Sequence, residues 1–83
     1  QLFEFGAGAA SVLDVLVPEN ARVIGRSIRD LDVPEECEIA AIIRDSKFVV
    51  PRGKTVIEAS DQVYCIGPAA AVREAVDMLM GTD

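Results

Sequence analysis

The sequence predicts a small α+β domain: a mostly antiparallel sheet with a short helix after the first strand and a C-terminal helix, in the order β-α-β-β-β-α. Three observations predict it. Apolar runs rich in β-branched residues are separated by Gly, Pro, Asp and Ser. Two such arms, meeting at Asp45-Ser46 within Cys37 to Lys54, read as a hairpin. Ile24, Ile28 and Leu31, and later Val72, Ala75, Val76 and Leu79, recur at helical spacing.

Leu2 to Phe5 alternates like a short strand, and Gly6-Ala7-Gly8 breaks it. A Gly-x-Gly behind an apolar strand is shared with dinucleotide-binding loops, but Ser11 stands where the third glycine belongs. The residues that follow, Val12 to Pro18, form a strand and not the required helix, so Gly6 to Gly8 is expected to be a turn. Pro18-Glu19-Asn20 is a second turn, and a short amphipathic helix is expected from Gly25 to Leu31. Pro34 ends it.

The central strand places Ile39, Ala41 and Ile43 on one face and Ala40 and Ile42 on the other. Polar residues are almost absent before Arg44, so both faces expect cover, from the chain's own helices or from a second copy. Pro51 cannot donate to a ladder, which makes the returning arm short or an edge. Thr55 to Ile57 is a brief extended piece, Gln62 to Ile66 the last strand, and the final helix opens at Gly67-Pro68 and stops at Gly81.

Eighty-three residues make one small domain, and with Trp absent its core is aliphatic. Such a core is often completed by self-association or by docking on another domain. The formal net charge of −6 repels phosphate backbones, which argues against nucleic-acid binding. No apolar run approaches the ~20 residues that span a bilayer. The chain starts at Gln1 without a signal peptide and is expected to be a cytosolic piece of a longer protein.

Catalytic constellations are missing. There is no His to act as a base, and neither Cys37 nor Cys65 has a visible activating partner, so no enzyme is expected. Two buried reduced thiols are the expectation, with a cross-strand disulfide as the alternative. The acids Asp30, Asp32, Glu35, Glu36 and Glu38 crowd the entry to the central strand. They read as a solvated turn or, without EF-hand spacing, as a divalent-cation site. Arg44, Lys47, Arg52 and Lys54 gather by the hairpin. They read as charges guarding an edge, with Arg44 and Lys47 facing each other, or as an anion site.

Taken together, Val15-x-Val17-Pro18, Gly25-x-Ser27-Ile28-x-x-Leu31 and Pro34 resemble the opening of the TrkA C-terminal (RCK-C) domain. Ile39 to Asp45, Pro51-x-Gly53-x-Thr55-x-Ile57 and Asp61-x-Val63-x-x-Ile66-Gly67 resemble its second half. No single element is specific; their number and order are. The resemblance runs from about Leu13 to Met80, within a domain at 11–83 behind a lead-in at 1–10.

The resemblance implies a ligand-sensing, dimerising regulatory domain of a potassium uptake or channel system, held in the cytoplasm against the inner face of the membrane through its transporter. The implied partners are a second copy, a Rossmann-like RCK-N domain and a membrane potassium transporter or channel subunit, with no insertion of the domain itself into the membrane. The alternatives are a cytosolic insertion in a carboxylate or amino-acid carrier, and a passive dimerisation domain without ligand. The implied ligand groove contains Asp32, Glu38, Ile39 and Ala40, and the implied dimer interface Ile28, Leu31, Ile39, Ala41 and Ile43. No cofactor is implied; the small ligand is open, a divalent cation or a nucleotide among the choices. Several relatives bind cyclic di-AMP with an Asp, an Arg and an Asn. Asp32 matches, but Pro34 stands at the Arg and Glu38 at the Asn, which disfavours a dianion.

Overall fold

The computed structural model describes residues 2–82. Five antiparallel strands form one sheet in the order β1-β2-β5-β3-β4. They are β1 (Leu2–Phe5), β2 (Ala10–Leu16), β3 (Glu38–Arg44), β4 (Lys47–Val49) and β5 (Gln62–Gly67), and one α-helix, α1 (Ala69–Met80), follows β5. The expected α+β class holds. Within the lead-in, Leu2–Phe5 form the outer strand β1, paired along β2 from Leu2↔Leu13 to Phe5↔Ala10.

The turns follow from their chemistry. Gly6, Ala7 and Gly8 all take positive φ, so the loop between β1 and β2 is the tight turn expected. Asp45 and Ser46 are both left-handed, at φ 51° and 64°, the geometry that lets a two-residue hairpin follow the twist of its strands. β4 is three residues long and lies at the sheet edge, as Pro51 requires.

The sheet has two unlike faces. On one, Ser11, Val15, Val63, Cys65, Ile39 and Ile42 face the core, to which α1, lying over β2 and β5, contributes Ala71, Val72, Ala75 and Leu79. Burying the Ile42, Val63, Val72 and Leu79 side chains, each at 0% exposure, contributes roughly 1.5–3 kcal/mol apiece. The other face, carrying Val12, Asp14, Leu16, Tyr64 and Ile43, has no layer over it among the described residues.

Two expectations need correction. The helix over Gly25 to Leu31 is a single 3-10 turn, Ile28–Asp30. Gly25 at φ 85° interrupts a helical path, and the backbone N–H groups of Gly25, Ile28 and Arg29 donate instead to the carbonyls of Ile57, Thr55 and Gly53. Ile24 and Ile28 still meet the core, but from a tight turn and from the 3-10 turn, with Ser27 between them bridged to Val56.

The second correction concerns β3. Ile39 pairs with Cys65 and Ala41 with Tyr64, so Ala40 is the extra residue of a β-bulge. The bulge shifts the alternation by one residue. Ile39 and Ile42 therefore share the core face, while Ala41 and Ile43 stand on the open one.

Candidate functional site

The residues implied for a ligand groove lie along the entry to β3. Leu31 is buried and ends the 3-10 turn; the chain then crosses exposed Asp32 and half-buried Val33 and Pro34 and tightens through Cys37 N–H donating to the Pro34 carbonyl at 2.9 Å. Glu38 emerges exposed, Ile39 turns into the core, and the bulge pushes Ala40 outward. Asp32, Glu38 and Ala40 are thus accessible, whereas Ile39 at 7% exposure is a core residue. β4 accompanies β3 only from Ile42 to Arg44, so among the described residues no strand lies beside Glu38 to Ala41 on that side.

This entry is fixed from below by Gly67. A Cβ at Gly67 would sit 2.6 Å from the Glu36 carbonyl oxygen and 3.2 Å from Cys37 Cα. Only a residue without a side chain lets the end of β5 approach the backbone that leads into Glu38. Its position after an apolar strand marked it only as a helix lead-in; the contact with Glu36 is distant in sequence and leaves no local signal.

Of the implied interface residues, Leu31 and Ile39 belong to the chain's own core. Ile28 is half-buried against that core, and Ala41 and Ile43 are half-buried on the open face. The structure does not bring these five onto one surface.

The charged groups sort differently from their sequence clusters. Among the described residues no group of three or more Cys, Asp or Glu side chains is placed to hold a metal ion. Asp30 accepts from the Ser27 hydroxyl at 2.9 Å, inside its own turn. Arg44 sits opposite Lys47 in the ladder, yet its side chain reaches away from it. It donates from Nε and Nη2 to the two carboxylate oxygens of Asp61 at 2.8 Å each, and from Nη2 to the Val56 carbonyl at 2.9 Å. Its Nη1 also pairs with Glu58 at 2.9 Å. The bond to Asp61 is the first cause that holds the Arg44 pKa above its ordinary value. Arg44 is therefore committed inside the fold. Arg29, in contrast, lies over Gly53, between Arg52 and Lys54, which moves the exposed basic group to the 26–29 and 52–54 segments.

Asp61 is fully buried and also accepts the Glu58 N–H at 2.9 Å. Cys37 and Cys65 are both free thiols in the core, and the Cys37 thiol donates to the Glu38 carbonyl at 3.8 Å. Burial pushes both up, Cys65 to about 12, so neither is a nucleophile at neutral pH. On the open face Gln62 Nε2 donates to Asp14 at 2.8 Å, the first cause that lowers the Asp14 pKa. No helix among the described residues is long and apolar enough to cross a membrane.

Comparison with known proteins agrees with this fold. The TrkA-C domain model matches residues 12–80. The Trk system potassium uptake protein TrkA homolog of Archaeoglobus fulgidus is 32% identical over 81 residues, covering 98% of this chain and 18% of that protein. The chain thus spans about a fifth of that relative's length. Among solved structures, the RCK_C domain dimer of S. agalactiae BusR in complex with c-di-AMP superposes with a TM-score of 0.67 at 28% identity, over 82% of this chain and 92% of that one. BusR has also been solved with its busA-promotor DNA. The GsuK RCK domain superposes with a TM-score of 0.76 at 10% identity, over 100% of this chain and 18% of that one, which is a likeness of fold. With a matched segment that runs through all but β1 and the ends of the chain, this chain belongs to the TrkA-C domain family.

Proposed function

We propose that this domain is a regulatory, dimer-forming module of a potassium uptake or channel system, which senses a small ligand between two copies and biases a membrane transporter or channel subunit. The carrying observation is the β3 entry. An unpaired strand edge from Glu38 to Ala41, broken by a bulge and flanked by exposed Asp32, presents backbone groups and carboxylates to a second copy or a ligand. Allostery then needs only that ligand bind one arrangement of the pair more tightly than the other.

The same entry speaks against a dianionic ligand. Glu38 and Asp32 present two carboxylates, Pro34 supplies no cation, and Arg44 is held by Asp61. A neutral or cationic small molecule fits these charges better than cyclic di-AMP.

Sedimentation of the 83-residue chain, with a thermal-shift panel of cyclic di-AMP, adenine nucleotides, Mg²⁺ and Ca²⁺, tests the reading. The expected result is a concentration-dependent dimer that cyclic di-AMP leaves unchanged. The double variant Pro34→Arg, Glu38→Asn should gain cyclic di-AMP binding. A chain that stays monomeric at high concentration with every ligand would end the proposal.

A further inference from the structure

The exposed bases around Gly53 have no part in the regulatory reading. Two segments distant in sequence are laced together there by four backbone bonds of 2.8–3.0 Å: Gly25 N–H to Ile57, Ile57 N–H to Arg26, Ile28 N–H to Thr55 and Arg29 N–H to Gly53. The lacing lays the Arg29 side chain along Gly53, where an added Cβ would meet Arg29 Cβ at 3.5 Å and Nε at 3.7 Å. Arg52 and Lys54 flank Gly53 in the chain, and all three bases are exposed. In a chain with 8 bases against 14 acids, three bases gathered at one turn run against the average charge. No ion pair reaches any of them among the described residues. The acids next to these segments are occupied elsewhere: Asp30 accepts from the Ser27 hydroxyl at 2.9 Å, and Glu58 pairs with Arg44 at 2.9 Å. Like charges so placed repel one another, and the fold supplies no counter-charge.

The turn beneath Arg29 is itself a set of donors. Thr55 N–H closes it onto the Arg52 carbonyl at 3.0 Å. The Thr55 hydroxyl accepts Arg52 N–H and donates to the Val50 carbonyl, each at 2.9 Å. These bonds hold the frame and leave the two central residues, Gly53 and Lys54, with N–H groups that have no partner among the described residues. Two guanidinium groups, one ammonium and two free backbone N–H groups are thus gathered without an acceptor among them. Guanidinium forks and the N–H groups of a turn are the donors that phosphate oxygens take. A terminal phosphate, with three oxygens and close to two charges, engages more of this set at once than a carboxylate with two oxygens and one charge.

We propose that the 52–55 turn, with Arg29 laid across it, is a binding site for a phosphate group. Arg29, Arg52 and Lys54 neutralise its charge, and the Gly53 and Lys54 N–H groups donate to its oxygens. The bearer is a soluble phosphate ester or the headgroup of an anionic lipid, whose shared chemistry is the phosphate itself. The site does not rest on the regulatory reading: the β3 entry presents the carboxylates of Asp32 and Glu38, and none of the three bases belongs to it.

The test titrates the ¹⁵N-labelled 83-residue chain with pyrophosphate, against NaCl at matched ionic strength. A second arm sediments the chain with phosphatidylcholine vesicles, plain or containing phosphatidic acid. Pyrophosphate should shift the Arg29, Gly53 and Lys54 amides saturably where NaCl does not. The double variant Arg29→Gln, Arg52→Gln should weaken binding at least about tenfold, and Arg73→Gln, at an exposed base on α1, should leave it unchanged. Lys54→Gln, whose side chain makes no bond in the fold, repeats the comparison without touching the laced segments. Saturable pyrophosphate binding without vesicle sedimentation assigns a soluble bearer. Sedimentation with phosphatidic acid vesicles alone, lost in the double variant, assigns a lipid headgroup. Neither saturable shifts nor vesicle binding would overturn the proposal, and so would variants at Arg29, Arg52 and Lys54 that bind as the parent does.

Discussion

Arg44 and Asp61, 17 residues apart, are joined by two parallel N–H···O bonds of 2.8 Å, with the carboxylate wholly buried. The pair ties the end of β3 to the turn before β5, and the same carboxylate receives Glu58 N–H while the Asp61 carbonyl receives Val17 N–H at 2.9 Å. Three segments therefore converge on one residue. A buried ion pair returns little net stability, because desolvation offsets attraction, but a broken one leaves a charge stranded.

Asp61→Ala should therefore cost about 3–5 kcal/mol, a large part of the roughly 4–12 kcal/mol expected of a domain this size at ~0.05–0.15 kcal/mol per residue. Chemical denaturation of Asp61→Ala, Arg44→Ala and the double variant checks it. A coupling of about 1–3 kcal/mol is expected; additive losses would mean the two side chains act separately.

The thiols set an alkaline limit. Cys65 rises from an ordinary 9.0 to about 12 in the fold, chiefly through burial, and Cys37 moves the same way. Between those values the unfolded chain has released the Cys65 proton and the folded chain still holds it. Stability must then fall as pH rises, by up to about 1.4 kcal/mol per pH unit for that thiol. Urea midpoints from pH 8 to 11 measure the slope. Cys65→Ala lowers the starting stability through its cavity but should flatten the slope; an unchanged slope would assign the limit elsewhere.

Most of the architecture was readable because its signals are local. Asp45-Ser46 forces a hairpin, Pro51 an edge, and Val72 to Leu79 a helix stripe. What escaped was set by contacts distant in sequence. Ile24, Ile28 and Leu31 have helical spacing, but the carbonyls of Gly53, Thr55 and Ile57 outcompete the helix for backbone donors. The face of Ile39 cannot be read from alternation, because the bulge at Ala40 changes its phase relative to Ile42. At the β3 entry the acids Asp32 and Glu38 were legible as exposed. Arg44 was misread as surface charge, since nothing near it in sequence announces Asp61.

Gly67 carries the next expectation. Gly67→Ala places a methyl 2.6 Å from the Glu36 carbonyl, a backbone atom that cannot swing aside as a side chain would. Overpacking of this kind costs about 1–3 kcal/mol. The displacement should be felt at Glu36 to Glu38, so amide shifts there, together with a lower denaturation midpoint, are the expected signature. A variant as stable as the parent, with unmoved Glu38, would show that the strand ends are looser than their spacing implies.

Removing one of the two adjacent alanines in β3, equivalent to deleting Ala40, separates architecture from site. In the observed register Ile39, Ala41 and Ile42 already face Cys65, Tyr64 and Val63 in succession. The shortened strand can therefore keep both isoleucines in the core and simply regularise the ladder, where an ordinary strand deletion would turn every later side chain to the wrong face. Stability should stay within about 1 kcal/mol of the parent or rise, because the extra residue contributes no ladder pair. What should change is the outward step of the chain at Glu38 to Ala41, and with it any dimer or ligand response located there. A denaturation curve paired with sedimentation distinguishes the outcomes. Unfolding on deletion would mean that the bulge holds the core together, and an unaltered dimer would place the pairing surface away from this edge.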